Sequence, residues 1–223
     1  MMKNDTVWYK YIILFLTLFF FAGSLPEARA THIRAGEITA KSDTAANPNP
    51  LLYYFKLVTY VVGSSGIPDD TGTMFFGDGT SQTVNKELPE KFLPNDVVRR
   101  VFYFSHIYPA PGNYTVLYNE QNRNANIVNM NLPSMNSFLV QTTISINPQI
   151  GINRSPQFAV PPIDIAALGQ IFIHFPGAYD LDQDSLAYRL VTPYLTIRTV
   201  FPAVLPLLIR LPAPTPATRL VLT

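Results

Sequence analysis

Residues 51–62 read LLYYFKLVTYVV, twelve residues in which Lys56 is the only charge. A surface helix would place apolar residues three and four apart, and a half-exposed strand would alternate. This segment does neither. It is too short and too rich in β-branched and aromatic side chains for a helix, so a central strand is expected. Further strands are expected at HIRAGEITAK (32–41), which alternates loosely, and at TMFF (73–76), VVRRVFYFSHIY (97–108), YTVLYNEQ (114–121) and SFLVQTTISINP (137–148). In YTVLYNEQ the period of two puts Tyr114, Val116 and Tyr118 on one face and Thr115 and Leu117 on the other. Between these runs lie SDTAANPNP, GSSGIPDDTG, GDG and PAPGN, all rich in chain-reversing residues. No stretch sustains a period of 3.6, and the spacing of the turns suits an all-β sandwich.

Composition narrows the classes of function. The chain has no cysteine, which removes disulfides, thiolate catalysis and Cys-ligated zinc. A formal net charge of +1 gives no reason to expect nucleic acid as a partner. With 20 Pro, 12 Tyr and 15 Phe but only 14% charged residues, the balance suits a turn-rich exported β protein.

The ends differ from the middle. Lys3 and Lys10 precede an apolar run over residues 11–23, and Ala28, Arg29 and Ala30 form a small-x-small end. Residues 1–30 are therefore expected to be a secretory signal cleaved after Ala30, leaving a mature chain outside the cytoplasm with no membrane insertion. Residues 31–147 form the expected sandwich. After Pro148, GINRSPQF reads as a linker into a second, partial β unit over 148–192, with strands at 170–175 and 186–191. Residues 193–223 contain six prolines, no acidic residue and no glycine. They read as a truncated or frameshifted continuation, with a Pro-rich linker as the alternative.

Gly77-Asp78-Gly79 could be a phosphate cradle, a metal loop or a turn. TSQTVNKELP follows it, which is no helix and carries no GK[ST], so a cradle is excluded. It also lacks the alternating acids of an EF-hand loop. A hairpin turn remains, with glycines free to take positive φ and Asp78 able to accept hydrogen bonds from nearby backbone N–H groups. His106 is expected to be structural, with the Asp78 turn as its partner. Tyr108 and Tyr114 bury their rings and each needs one polar partner, and Gly112 lies where the chain reverses.

This turn, followed by HIYPAPGNYTV (106–116), resembles the paired signature of PKD domains. These are seven-stranded immunoglobulin-like sandwiches of extracellular proteins. Gly77, Asp78, Gly79, His106, Tyr108, Gly112, Tyr114 and Val116 fit it, while Phe75 and Phe76 stand where Trp-Asp-Phe is commoner. Residues 31–193 together resemble the N-terminal region of gliding motility-associated, PKD-domain-containing surface proteins of the Bacteroidetes type. The resemblance implies a non-catalytic surface or adhesion module whose partner is an extracellular polysaccharide or protein. An accessory domain of a larger secreted hydrolase is the alternative.

Asp180, Asp182 and Asp184 alternate in AYDLDQDSLAY, and such spacing lets carboxylates converge on one hard cation. The stretch resembles the calcium-linked turn of cadherin-like domains, with Asn153 as a further ligand and Gln183 where that turn has glycine. Calcium and a solvated acidic turn both stay open as readings. The histidines His32, His106 and His174 form no zinc spacing. Asp69 and Asp70 read as part of a turn, and no serine lies in a G-x-S-x-G context. The chain is not expected to be an enzyme.

Overall fold

In the computed structural model the described residues are 33–65, 70–121, 123, 124, 127, 130, 132–163, 169–173, 175 and 177–189, with Tyr11, Ile12 and Phe15. The expected signal segment, apart from those three residues, and the 193–223 tail lie outside them, as do His32, Asp69 and His174. Among the described residues no helix is long and apolar enough to cross a membrane.

The described residues form ten strands, in order: β1 (Ile33–Ser42), β2 (Leu52–Val62), β3 (Thr71–Phe75), β4 (Ser81–Asn85), β5 (Lys91–Leu93), β6 (Val97–Ile107), β7 (Gly112–Glu120), β8 (Phe138–Ile146), β9 (Gln157–Phe158) and β10 (Ala178–Tyr179). Eight of them make two four-stranded sheets, a front sheet of order β1-β2-β6-β5 and a back sheet of order β4-β3-β7-β8. Every ladder in them is antiparallel. The chain is all-β, and the two sheets pack as a β-sandwich.

The core explains the pattern of the strands. Inward positions of β2, Tyr53, Phe55, Leu57 and Val61, meet Phe102 and Phe104 of β6, Met74 of β3, Val116 and Tyr118 of β7 and Ile144 and Ile146 of β8. The expected faces of β7 are found, with Val116 and Tyr118 in the core and Tyr114 packed against it. The unbroken apolar run of β2 has a separate cause. Its outward Val58 and Tyr60 are also buried, in a smaller cluster with Ala35 and Val97 against which Ile163 packs. A strand covered on both faces loses its alternation.

Two short strands of the sandwich were not legible as strands. β4 is polar, and its Ser81, Thr83 and Asn85 are exposed at a sheet edge. β5 has only three residues.

After β8 the chain departs from expectation. Residues 170–173 and 186–189 are not strands; among the described residues of this region β9 pairs with β10, two residues each, and Arg154 bridges to Lys41 of β1. Ile171, Ile173 and Phe175 are exposed. Alternating apolar residues form a strand only where a neighbour supplies ladder hydrogen bonds and a surface to bury against, and no such neighbour lies beside these described residues. The linker does more than connect. Its Asn153 carbonyl accepts from the Ser42 N–H at 3.1 Å, and the Ser155 N–H donates to the Ala40 carbonyl at 2.7 Å. The Ala40 N–H donates to Ser155 Oγ at 2.9 Å. These bonds occupy the otherwise open edge of β1.

Candidate functional site

The two halves of the sequence signature meet at one end of the sandwich. The β3–β4 turn belongs to the back sheet and the end of β6 to the front sheet. Asp78 Oδ1 accepts from the Thr80 N–H at 3.0 Å and from the Thr80 hydroxyl at 2.6 Å. Its Oδ2 lies 2.7 Å from His106 Nε2. The Asp78 side chain is only 6% exposed, and burial alone would raise its carboxyl. The bonds from Thr80 and His106 together outweigh burial and hold it below the ordinary carboxylate value.

The rings around this bond are ordered by the same end. The His106 imidazole stacks on Phe76 at 4.1 Å with the planes 3° apart, and Tyr108 meets His106 edge-on at 4.6 Å. Tyr108 donates its buried hydroxyl to the Phe76 carbonyl at 3.1 Å, a second tie between the sheets. Burial, with Asp78 nearby, pushes the Tyr108 phenol well above its usual range. Tyr114 packs on Tyr108 at 4.2 Å and donates to the Ala110 carbonyl at 2.9 Å. Each tyrosine thus has the single polar partner its burial requires.

The two glycines of the turn differ. Both have positive φ, +85° at Gly77 and +93° at Gly79. A Cβ on Gly77 would lie 2.5 Å from the Thr115 carbonyl oxygen, whereas one on Gly79 would meet open space. Gly112 is different again. It starts β7 without a left-handed backbone, and a Cβ there would make only ordinary contact with the Tyr114 ring.

Asp78, His106 and Thr80 contain the groups of a nucleophilic triad but not its wiring. A relay needs the acid on one imidazole nitrogen and the hydroxyl on the other. Here both address Nε2, Thr80 at 3.5 Å, and the Thr80 hydroxyl is donated to Asp78. The arrangement is a clasp between two sheets.

The other end is held by charges that sequence reasoning missed. Arg100 Nε lies 2.6 Å from Glu90 Oε1, and Lys86 Nζ lies 2.9 Å from the same oxygen and 3.0 Å from Asp70 Oδ1. Arg100 comes from β6 of the front sheet and Lys86 follows β4 of the back sheet, so this network also bridges the layers. Burial would raise the Glu90 carboxyl, but Lys86 and Arg100 pull it lower. The one available signal was Lys86 and Glu90 four apart among turn residues.

The aspartates of the 180–184 loop do not converge. Asp180 Oδ1 accepts from the backbone N–H groups of Asp182 (2.7 Å) and Asp184 (3.3 Å). Asp182 turns to the linker: its Oδ2 accepts from the Arg154 N–H at 2.6 Å, and its Oδ1 lies 3.2 Å from Arg154 Nε. Among the described residues no three His, Cys, Asp or Glu side chains are placed to hold a metal ion. As arranged, the donor set does not fit calcium, because both Asp182 oxygens face Arg154. Asn153, the expected further ligand, uses its backbone on β1. Gln183, standing where the cadherin-like turn has glycine, adopts φ +66°, so the loop keeps the left-handed position without the residue that favours it.

Outside both ends, a groove of about 560 Å³ runs over the outer face of the front sheet. Thr39, Lys41, Tyr54, Lys56 and Tyr103 lie on its sheet side, and Arg154, Gln157 and Leu181 come from the region after β8.

No family model, no curated protein and no solved structure matches the chain.

Proposed function

We propose that the chain is a non-catalytic interaction module of an exported bacterial surface protein, an immunoglobulin-like sandwich of PKD type. The observation that carries this reading is the Asp78–His106 clasp at 2.7 Å. It joins the two sequence segments whose resemblance to PKD domains is specific, and it spends their polar groups on holding the sheets together. The strand order supports it too. β1-β2-β6-β5 and β4-β3-β7-β8 correspond to the immunoglobulin arrangement A-B-E-D and C-F-G, with β4 as an added strand beside C. The N-terminal segment, with its basic start, apolar run and Ala28-Arg29-Ala30 end, supports export.

The test is expression of the full chain in a Gram-negative host, with fractionation and sequencing of the mature N-terminus. A product outside the cytoplasm that begins at Thr31 is expected. Retention in the cytoplasm with Met1 in place would sink the export reading. Release of new reducing ends from polysaccharides by the purified chain would sink the non-catalytic one.

A further inference from the structure

We propose that the groove over the front sheet binds an acidic polysaccharide, with sugar rings against Tyr103 and Tyr54 and acidic groups met by Lys41 and Lys56. The inference rests on the reading of the chain as an exported interaction module and names the ligand class of that module.

Register puts these side chains on one surface. Thr39 pairs with Lys56 and Lys56 with Tyr103, while Lys41 pairs with Tyr54 in the neighbouring row. Paired residues of adjacent strands point to the same face, and diagonal neighbours lie about 7–8 Å apart, within reach of one extended ligand. Tyr54 is 38% and Tyr103 55% exposed, although inward-facing rings of the same strands are buried. Aromatic faces carry negative potential and attract the C–H faces of sugar rings as they attract cations. Gln157 and Thr39 add the amide and hydroxyl groups that hydroxyl-rich ligands need.

Charge selects the kind of sugar. Among the described residues that line the groove, the charged ones are Lys41, Lys56 and Arg154, and none is a carboxylate. Arg154 is already paired with Asp182. The two lysines remain, Lys41 with its Nζ 5.7 Å from the Tyr54 ring centroid. Glu37 lies on the same face one row further along, beside Lys56. A protein partner would be matched by an apolar centre with a polar rim. This groove has cations among its aromatic rings.

The experiment measures binding of the full chain to immobilised alginate, polygalacturonate and chondroitin sulfate, with dextran and poly-L-glutamate as controls. Binding to at least one acidic polysaccharide is expected, with little to dextran. Tyr103→Ala should weaken it about tenfold, in line with the loss of one stacking platform. Lys41→Gln with Lys56→Gln should weaken it and flatten its salt dependence. Both tyrosine and lysines are surface residues, and unchanged melting curves will show that the variants fold. Three results overturn the proposal: no binding to any acidic polysaccharide, equal binding to poly-L-glutamate, or binding that Tyr103→Ala leaves intact. The first two leave the export and non-catalytic results standing, and the third leaves the module a binder through another surface.

Discussion

Removing the clasp between the sheets should unmake more than one hydrogen bond. In Asp78→Ala the carboxylate that accepts from Thr80 and faces His106 at 2.7 Å is lost. A hydrogen bond to a charged group contributes about 1.5–3 kcal/mol, and stranding its buried partner adds to the loss. Because the Asp78 side chain is only 6% exposed, little of this is screened. The expected destabilisation is about 3 kcal/mol, or a melting temperature lower by roughly 10 °C for a domain of this size. His106→Ala should cost a similar amount, since it also removes the ring stacked on Phe76 at 4.1 Å. The double variant should then be less destabilised than the sum of the two, by about 2 kcal/mol. Urea unfolding followed by circular dichroism measures all three. A coupling below about 0.5 kcal/mol would show that the two side chains act independently, and the clasp would fall with it. Acid gives a second check. A carboxyl held below its unfolded value adds stability that is fully present above that value and is lost as pH falls through the folded one. Asp78 is such a group, so part of the acid destabilisation below about pH 4 should disappear in Asp78→Asn. An acid profile identical to the parent's would contradict the stated direction.

Other expectations follow from the same geometry. Gly77→Ala should cost about 3 kcal/mol or more, since strain from positive φ adds to a 2.5 Å approach to the Thr115 carbonyl. Gly79→Ala should cost only about 1 kcal/mol, and equal losses in thermal melts would refute the close-approach argument. Glu90→Gln should destabilise the sandwich by about 2–3 kcal/mol by weakening the contacts to Arg100 and Lys86; a melt unchanged from the parent would mean the network is solvated. Millimolar calcium should leave the melting curve where chelator leaves it, because Asp182 is engaged by Arg154. A calcium-dependent rise that Asp182→Asn abolishes would show that the loop rearranges around the ion.

By itself the sequence determined the fold class, the main long strands and the turn at Gly77-Asp78-Gly79. These depend on local terms: β-branched and aromatic density, the period of two, and glycines that tolerate positive φ. It also put Asp78 and His106 in the same motif, with the turn named as partner. The tertiary structure decided where pairing stops. Residues 170–173 have a strand's alternation and, among the described residues, no strand beside them, whereas the polar β4 became a strand because β3 supplied its ladder. Strand formation at an edge is settled by the neighbour, which a local pattern cannot carry. The structure likewise turned Asp182 towards Arg154, 28 residues away, and brought Arg100 to Glu90 across the second end. Which charge a carboxylate meets depends on how distant segments pack, and the spacing of three aspartates fixes only what they could have met.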